Sequence, residues 1–107
     1  MNKLISCLSI AILFGYSVSI MAAEHEISQK NKKFSTTEIT INTGDTIRFY
    51  NDDPIFHNIY SLSGIDAFDL GAYVKDESRT HTFRTPGVVE IECVIHPFMN
   101  LKVHVKE

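Results

Sequence analysis

Helix-period patterning is almost absent from this chain, basic residues are scarce, and neither an internal repeat nor a low-complexity segment interrupts its 107 residues. The first absence excludes a helical bundle or an alternating α/β fold, since both need apolar residues recurring at i, i+3 and i+4. The second argues against nucleic acid as a partner. Beyond the first 23 residues, where Lys3 is the sole charge, 13 acidic side chains stand against nine basic ones, whereas a nucleic-acid binder needs a basic face. The length leaves room for one domain and no more.

Long apolar runs are missing too, with one exception at the start. Lys3 supplies a short positive region, Leu4 to Ile20 is mostly apolar, and Met21-Ala22-Ala23 ends in small residues just before Glu24-His25-Glu26. That is the pattern of a cleaved signal peptide, expected over residues 1–23. Ser6, Ser9, Gly15, Ser17 and Ser19 dilute the run, unlike an uninterrupted membrane span. Export to the periplasm follows, with no membrane span left after cleavage. Residues 24–33, which carry Lys30, Lys32 and Lys33, read as a polar, solvated N-terminal arm, and residues 34–107 as the folded domain, expected to be a monomer.

Cysteine is nearly absent as well. Cys7 leaves with the leader, so no disulfide can form within the mature chain and Cys93 is its only thiol. An unpaired thiol in an exported protein is exposed to oxidation and exchange, so burial, intermolecular pairing or metal ligation must account for it. Its neighbours favour metal. Cys93-Val94-Ile95-His96-Pro97-Phe98-Met99 places a thiolate, an imidazole and a thioether in seven residues, and His57 stands upstream in the apolar stretch Pro54-Ile55-Phe56-His57. One Cys, two His and a weak axial Met are the donors of an electron-transfer copper site. Thiolate and thioether select copper over harder ions, and no carboxylate sits inside the cluster to favour magnesium or calcium; zinc, closed by a fourth ligand, could use the thiolate and both imidazoles. His25, His81 and His104 are not assigned to metal. No oxyanion stabiliser or orienting acid accompanies Cys93 and His96, which weakens a catalytic-thiol reading. No second His cluster is present for a multicopper enzyme.

The rest reads as short strands between turn signals. Glu38 to Asn42 and Thr46 to Tyr50 alternate apolar and polar residues around Thr43-Gly44-Asp45, Asn51-Asp52-Asp53-Pro54 breaks the second run, and Phe56 to Tyr60 resumes in extended form. Ser78 to Arg84 is a further strand. Val88 to Cys93 puts Val89, Ile91 and Cys93 on one face, so Cys93 points inward; Leu101, Val103 and Val105 do the same on the last strand. Residues 61–76 leave open a loop, a short edge strand or a helical turn. The pattern predicts an all-β fold, a two-sheet antiparallel sandwich with Greek-key connections.

The stretch Phe49 to His57-Asn58, the strand Val88 to Cys93 and above all Cys93-x-x-His96-Pro97-Phe98-Met99 resemble the cupredoxins, and the short ligand loop is most similar to that of the amicyanins. The similarity runs from about Phe34 to the C-terminus. It departs at Val94-Ile95, where amicyanins carry a small polar residue and a proline. The resemblance implies one type 1 copper ion, with His57, Cys93 and His96 as equatorial ligands and Met99 axial. It also implies that Asn58 ties the two ligand segments together by hydrogen bonds. Pro97 stiffens the loop by fixing its own backbone and restricting that of His96.

The expected function is a periplasmic one-electron shuttle between redox proteins, not an enzyme. Phe56 and Phe98, beside His96 and Pro97, would form the partner surface, with Asp52 and Asp53 rimming it to select a basic partner. Copper storage or delivery by the same ligands is the alternative.

Overall fold

A computed structural model describes residues 21–107, which form nine strands in two sheets. All but the last three residues of the expected signal peptide lie outside the described residues. One sheet contains β1 (Glu24–Lys30), β2 (Lys33–Phe34), β4 (Thr46–Asn51) and β7 (Ser78–Thr82), in the order β2-β1-β4-β7. The other contains β3 (Glu38–Asn42), β5 (His57–Ser61), β6 (Phe68–Tyr73), β8 (Gly87–Cys93) and β9 (His96–Lys106), in the order β3-β9-β8-β5-β6. Among the described residues no helix is long and apolar enough to cross a membrane.

The sandwich is all-β, as the alternating strands predict, but its sheets are mixed rather than antiparallel. β1 runs parallel to β4, from Glu24↔Thr46 to Gln29↔Asn51, and β3 runs parallel to β9. A parallel pair needs a long crossover. The chain supplies one by passing through β3 in the opposite sheet before returning as β4.

Period-two patterning explains which side chains fill the interior. Ile47 and Phe49 of β4 point inward while Thr46, Arg48 and Tyr50 stay half-buried outside. On the facing sheet, Val89 and Ile91 of β8 lie directly across from Val103 and Leu101 of β9, and all four are buried. Ile41, Ile59 and Phe83 complete the layer between the sheets.

Two segments differ from what the sequence leads one to expect. Residues 24–30, read as part of a solvated arm, are an interior strand of the first sheet. Polar composition hid a period-two pair: Ile27 and Gln29 are buried, and the Tyr73 hydroxyl donates to the Gln29 side-chain oxygen. Burying one isoleucine stabilises by roughly 1.5–3 kcal/mol, less than ordering seven residues costs, so the ladder with β4 and the buried Tyr73–Gln29 bond supply the remainder. The open stretch 61–76 resolves into a turn at Gly64-Ile65 followed by β6, an edge strand paired with β5 through a bulge between Asn58 and Tyr60.

Candidate metal centre

The four sequence-predicted donors lie at one end of the second sheet, on three strands. His57 opens β5 and Cys93 closes β8. The loop expected between the last two strands is shorter than the sequence implies. Cys93 pairs across to His96, so the hairpin closes over only Val94-Ile95, and His96, Pro97, Phe98 and Met99 already belong to β9.

Cys93 Sγ is 3.7 Å from His57 Nδ1 and 3.9 Å from His96 Nδ1, and the three donor atoms lie within 4.8 Å of one another. The two imidazole centroids are 5.0 Å apart. An ion about 2.0 Å from a nitrogen and about 2.3 Å from a sulfur would hold the two about 3.7 Å apart at an angle of about 120°, so the spacing suits a trigonal N₂S set. His57 and Cys93 are fully buried, His96 is half-buried, and Met99 is buried three residues beyond it on the same strand.

Asp53 is the residue that sequence reasoning misplaced. Expected at a solvent-facing rim, it is 4% exposed and works inside the protein. Its carboxylate accepts from the backbone N–H of Asn31 at 2.6 Å and of Lys32 at 2.9 Å, and meets His57 Nε2 at 2.7 Å. A proton held on Nε2 by this carboxylate leaves the Nδ1 lone pair facing the cysteine sulfur, the orientation a ligating imidazole needs. Burial pushes the Asp53 carboxyl up, but the Lys32 N–H, the His57 ring and the Asn31 N–H outweigh it and hold it below its ordinary value. Asn51 positions the aspartate: its side-chain oxygen accepts from the Asp53 N–H at 2.8 Å, and its amide donates to the carbonyls of Ile55 and Tyr73. The available signal was an acid four residues before the histidine in a turn-forming stretch.

Asn58 joins the two ligand segments. Its backbone N–H points at Cys93 Sγ at 3.4 Å, and its side-chain oxygen accepts from the Val94 N–H at 2.7 Å. On the other side, the His96 ring packs edge-on against Phe98 with centroids 5.8 Å apart. Desolvation, then His57 and Lys32 nearby, lower the His96 pKa, which favours the neutral imidazole that can ligate. Around it the surface is apolar: Phe98 is 66% and Phe56 58% exposed, and Val94, Ile95 and Ile55 also reach solvent. The remaining histidines are engaged elsewhere, His25 with Asp45, His81 with Asp66 and His104 with Glu38.

No protein-family model matches the chain. It is 36% identical over 77 residues to the amicyanin of Paracoccus versutus, an alignment covering 69% of this chain and 58% of that protein. The chain therefore spans less than two thirds of that relative. It is 30% identical over 88 residues to the amicyanin-alpha of Methylorubrum extorquens, covering 79% of this chain and 74% of the relative. A solved amicyanin variant in the Cu(I) state superimposes with a TM-score of 0.72 at 26% identity, over 83% of this chain and 86% of that one.

Proposed function

The chain belongs to the cupredoxin family, and from that premise we propose that it is a periplasmic type 1 copper protein that carries single electrons between redox proteins. One observation carries the reading: two imidazole Nδ1 atoms and the only thiol among the described residues converge within 4.8 Å at the buried end of a sandwich. Bound copper would supply the one-electron couple. His57, Cys93 and His96 would hold it, together with the thioether of Met99.

The rest of the task falls to the protein. His57 is fixed by the Asp53 carboxylate, Cys93 by the end of β8 and by the Asn58 N–H, so neither donor needs to move when the metal changes oxidation state. His96 is the one ligand with a path to solvent, through Phe98 and the exposed apolar residues beside it. An apolar contact around one ligand suits a brief encounter of the kind found at the low end of protein interface areas. Fixed ligands favour the shuttle over copper delivery, which requires donors that let go. The apolar leader supports export.

Adding Cu(II) to the purified protein without its leader is expected to produce an intense thiolate-to-copper band in the visible spectrum. A colourless protein that takes up zinc in preference would overturn the reading, and rapid loss of Cu(I) to a competing chelator would favour delivery instead.

A further inference from the structure

The β1–β2 turn beside the apolar surface of His96 is basic on a chain whose charge is mostly acidic. β1 and β2 are joined by the two-residue turn Asn31-Lys32, both in the left-handed region with φ of 54° and 56°, and Lys30 pairs with Lys33 directly across it. Three of the nine basic residues beyond the leader thus stand within four positions. Fold stability does not explain this. Like charges opposite each other on paired strands repel, and glycine would take the Lys32 turn position without strain. Among the described residues no carboxylate lies in salt-bridge range of the three ammonium groups.

The turn is also well placed. Lys32 lines two surface clefts, one of about 340 Å³ bounded by Pro54 and Ile55, the other of about 400 Å³ bounded by Phe34, Phe98 and Met99. The lysines and the apolar surface around His96 are therefore one continuous face. Acids on this side are few or engaged: Asp53 is buried and holds the turn from below, Asp52 is exposed near it, and Glu38 and Glu90, which share a cleft with Phe98, stand beside His104 and Lys102.

We propose that this face docks an acidic redox protein, with Lys30, Lys32 and Lys33 as a cationic rim and Phe98 at the apolar centre. What the partner does rests on the electron-carrier reading; where it lands does not. At ordinary salt, charges beyond about 10 Å are screened, so the chain's distant acids are silent at contact while the rim is not. Rim charges of this kind set association rate and partner choice. Anionic bilayers are recognised by clusters of roughly 4–8 basic residues, more than this rim supplies.

Two anionic probes test it. Paramagnetic hexacyanochromate(III), added to the isotopically labelled protein with and without copper, is expected to broaden the amides of residues 30–34 and 98–100 first. Oxidation of the reduced copper protein by hexacyanoferrate(III) is expected to slow about tenfold between roughly 0.01 M and roughly 0.5 M salt, the opposite of what the chain's net negative charge dictates. The double substitution Lys32→Glu with Lys33→Glu should reverse that slope, and Lys106→Glu at the far end should leave it in place. A rate that rises with salt in the unaltered protein, or broadening centred elsewhere on a blue protein, overturns the docking face while sparing the carrier reading. Broadening at the turn of a protein that never turns blue supports the face and defeats the carrier. Co-sedimentation with phosphatidylglycerol vesicles at about 0.1 M salt would assign the lysines to a lipid surface and overturn the proposal.

Discussion

The two imidazoles that face Cys93 live in opposite surroundings. His57 is fully buried, its far nitrogen is bonded to a carboxylate, and that carboxylate is itself held by two backbone N–H groups. His96 is half-exposed, begins a strand straight after a two-residue turn, and has an aromatic edge for a neighbour. One donor is anchored and the other is accessible. A site that must hold its geometry yet exchange electrons needs both properties, and here they are assigned to different strands.

The sharpest way to break that comparison is to delete each ring. His57→Ala opens a buried cavity and strands the Asp53 carboxylate, so the metal-free protein is expected to lose about 2–5 kcal/mol in urea unfolding. His96→Ala removes a partly solvated side chain and should cost less than about 1 kcal/mol. Both should abolish the copper band, but added imidazole should restore it in His96→Gly only, because only that vacancy opens to water. Equal stability losses would erase the distinction.

Asp53→Asn sharpens it by loosening the anchor without emptying the site. Copper affinity is expected to fall about 10–100-fold, as for other groups that orient a ligating histidine, measured by competition with a chelator. On the accessible side, Phe98→Glu should slow electron exchange with the partner while the copper band stays unchanged; loss of colour would mean that Phe98 holds the strand in place.

The smallest effect lies at the opposite end of the sandwich. There the Asp45 carboxyl, accepting from the Ala23 N–H, from His25 and from the Asn42 N–H, is lowered from 3.8 to about 2. A carboxyl whose pKa is depressed by folding stabilises the native state above its unfolded value and loses that contribution as pH falls towards the folded one. Protein that retains Ala23 should therefore lose thermal stability relative to Asp45→Asn between about pH 4 and pH 2, with the copper centre uninvolved, and cleavage after Ala23 should shrink the difference by removing the first of these donors. Parallel melting curves would remove Asp45 from the account.

Much of this arrangement could be read before any coordinates. Period-two runs such as Ile47/Phe49 and Leu101/Val103/Val105 are buried where they were expected, because alternation is a local property that the sheet only has to accept. The cluster that the structure brings together, His57, Cys93 and His96, was legible for a similar reason, two of its members standing three residues apart. What stayed hidden depends on partners distant in sequence. β1 carries one strong apolar residue and becomes a strand only because β4 runs alongside it. Asp53 looks like any turn acid until the β1–β2 turn covers it. The parallel pairings were invisible because strand direction depends on which sheet the chain enters next, and side-chain alternation says nothing of that.

β9 is the last strand in the chain, lies between β3 and β8, and supplies both His96 and Met99. A growing chain that stops short of residue 96 therefore lacks an interior strand of its larger sheet as well as half of its donors. Sheet closure and completion of the donor set become one late event in folding. Such a chain holds only His57 and Cys93 of the four donor residues, so the ligand set is completed by the same strand that completes the sheet.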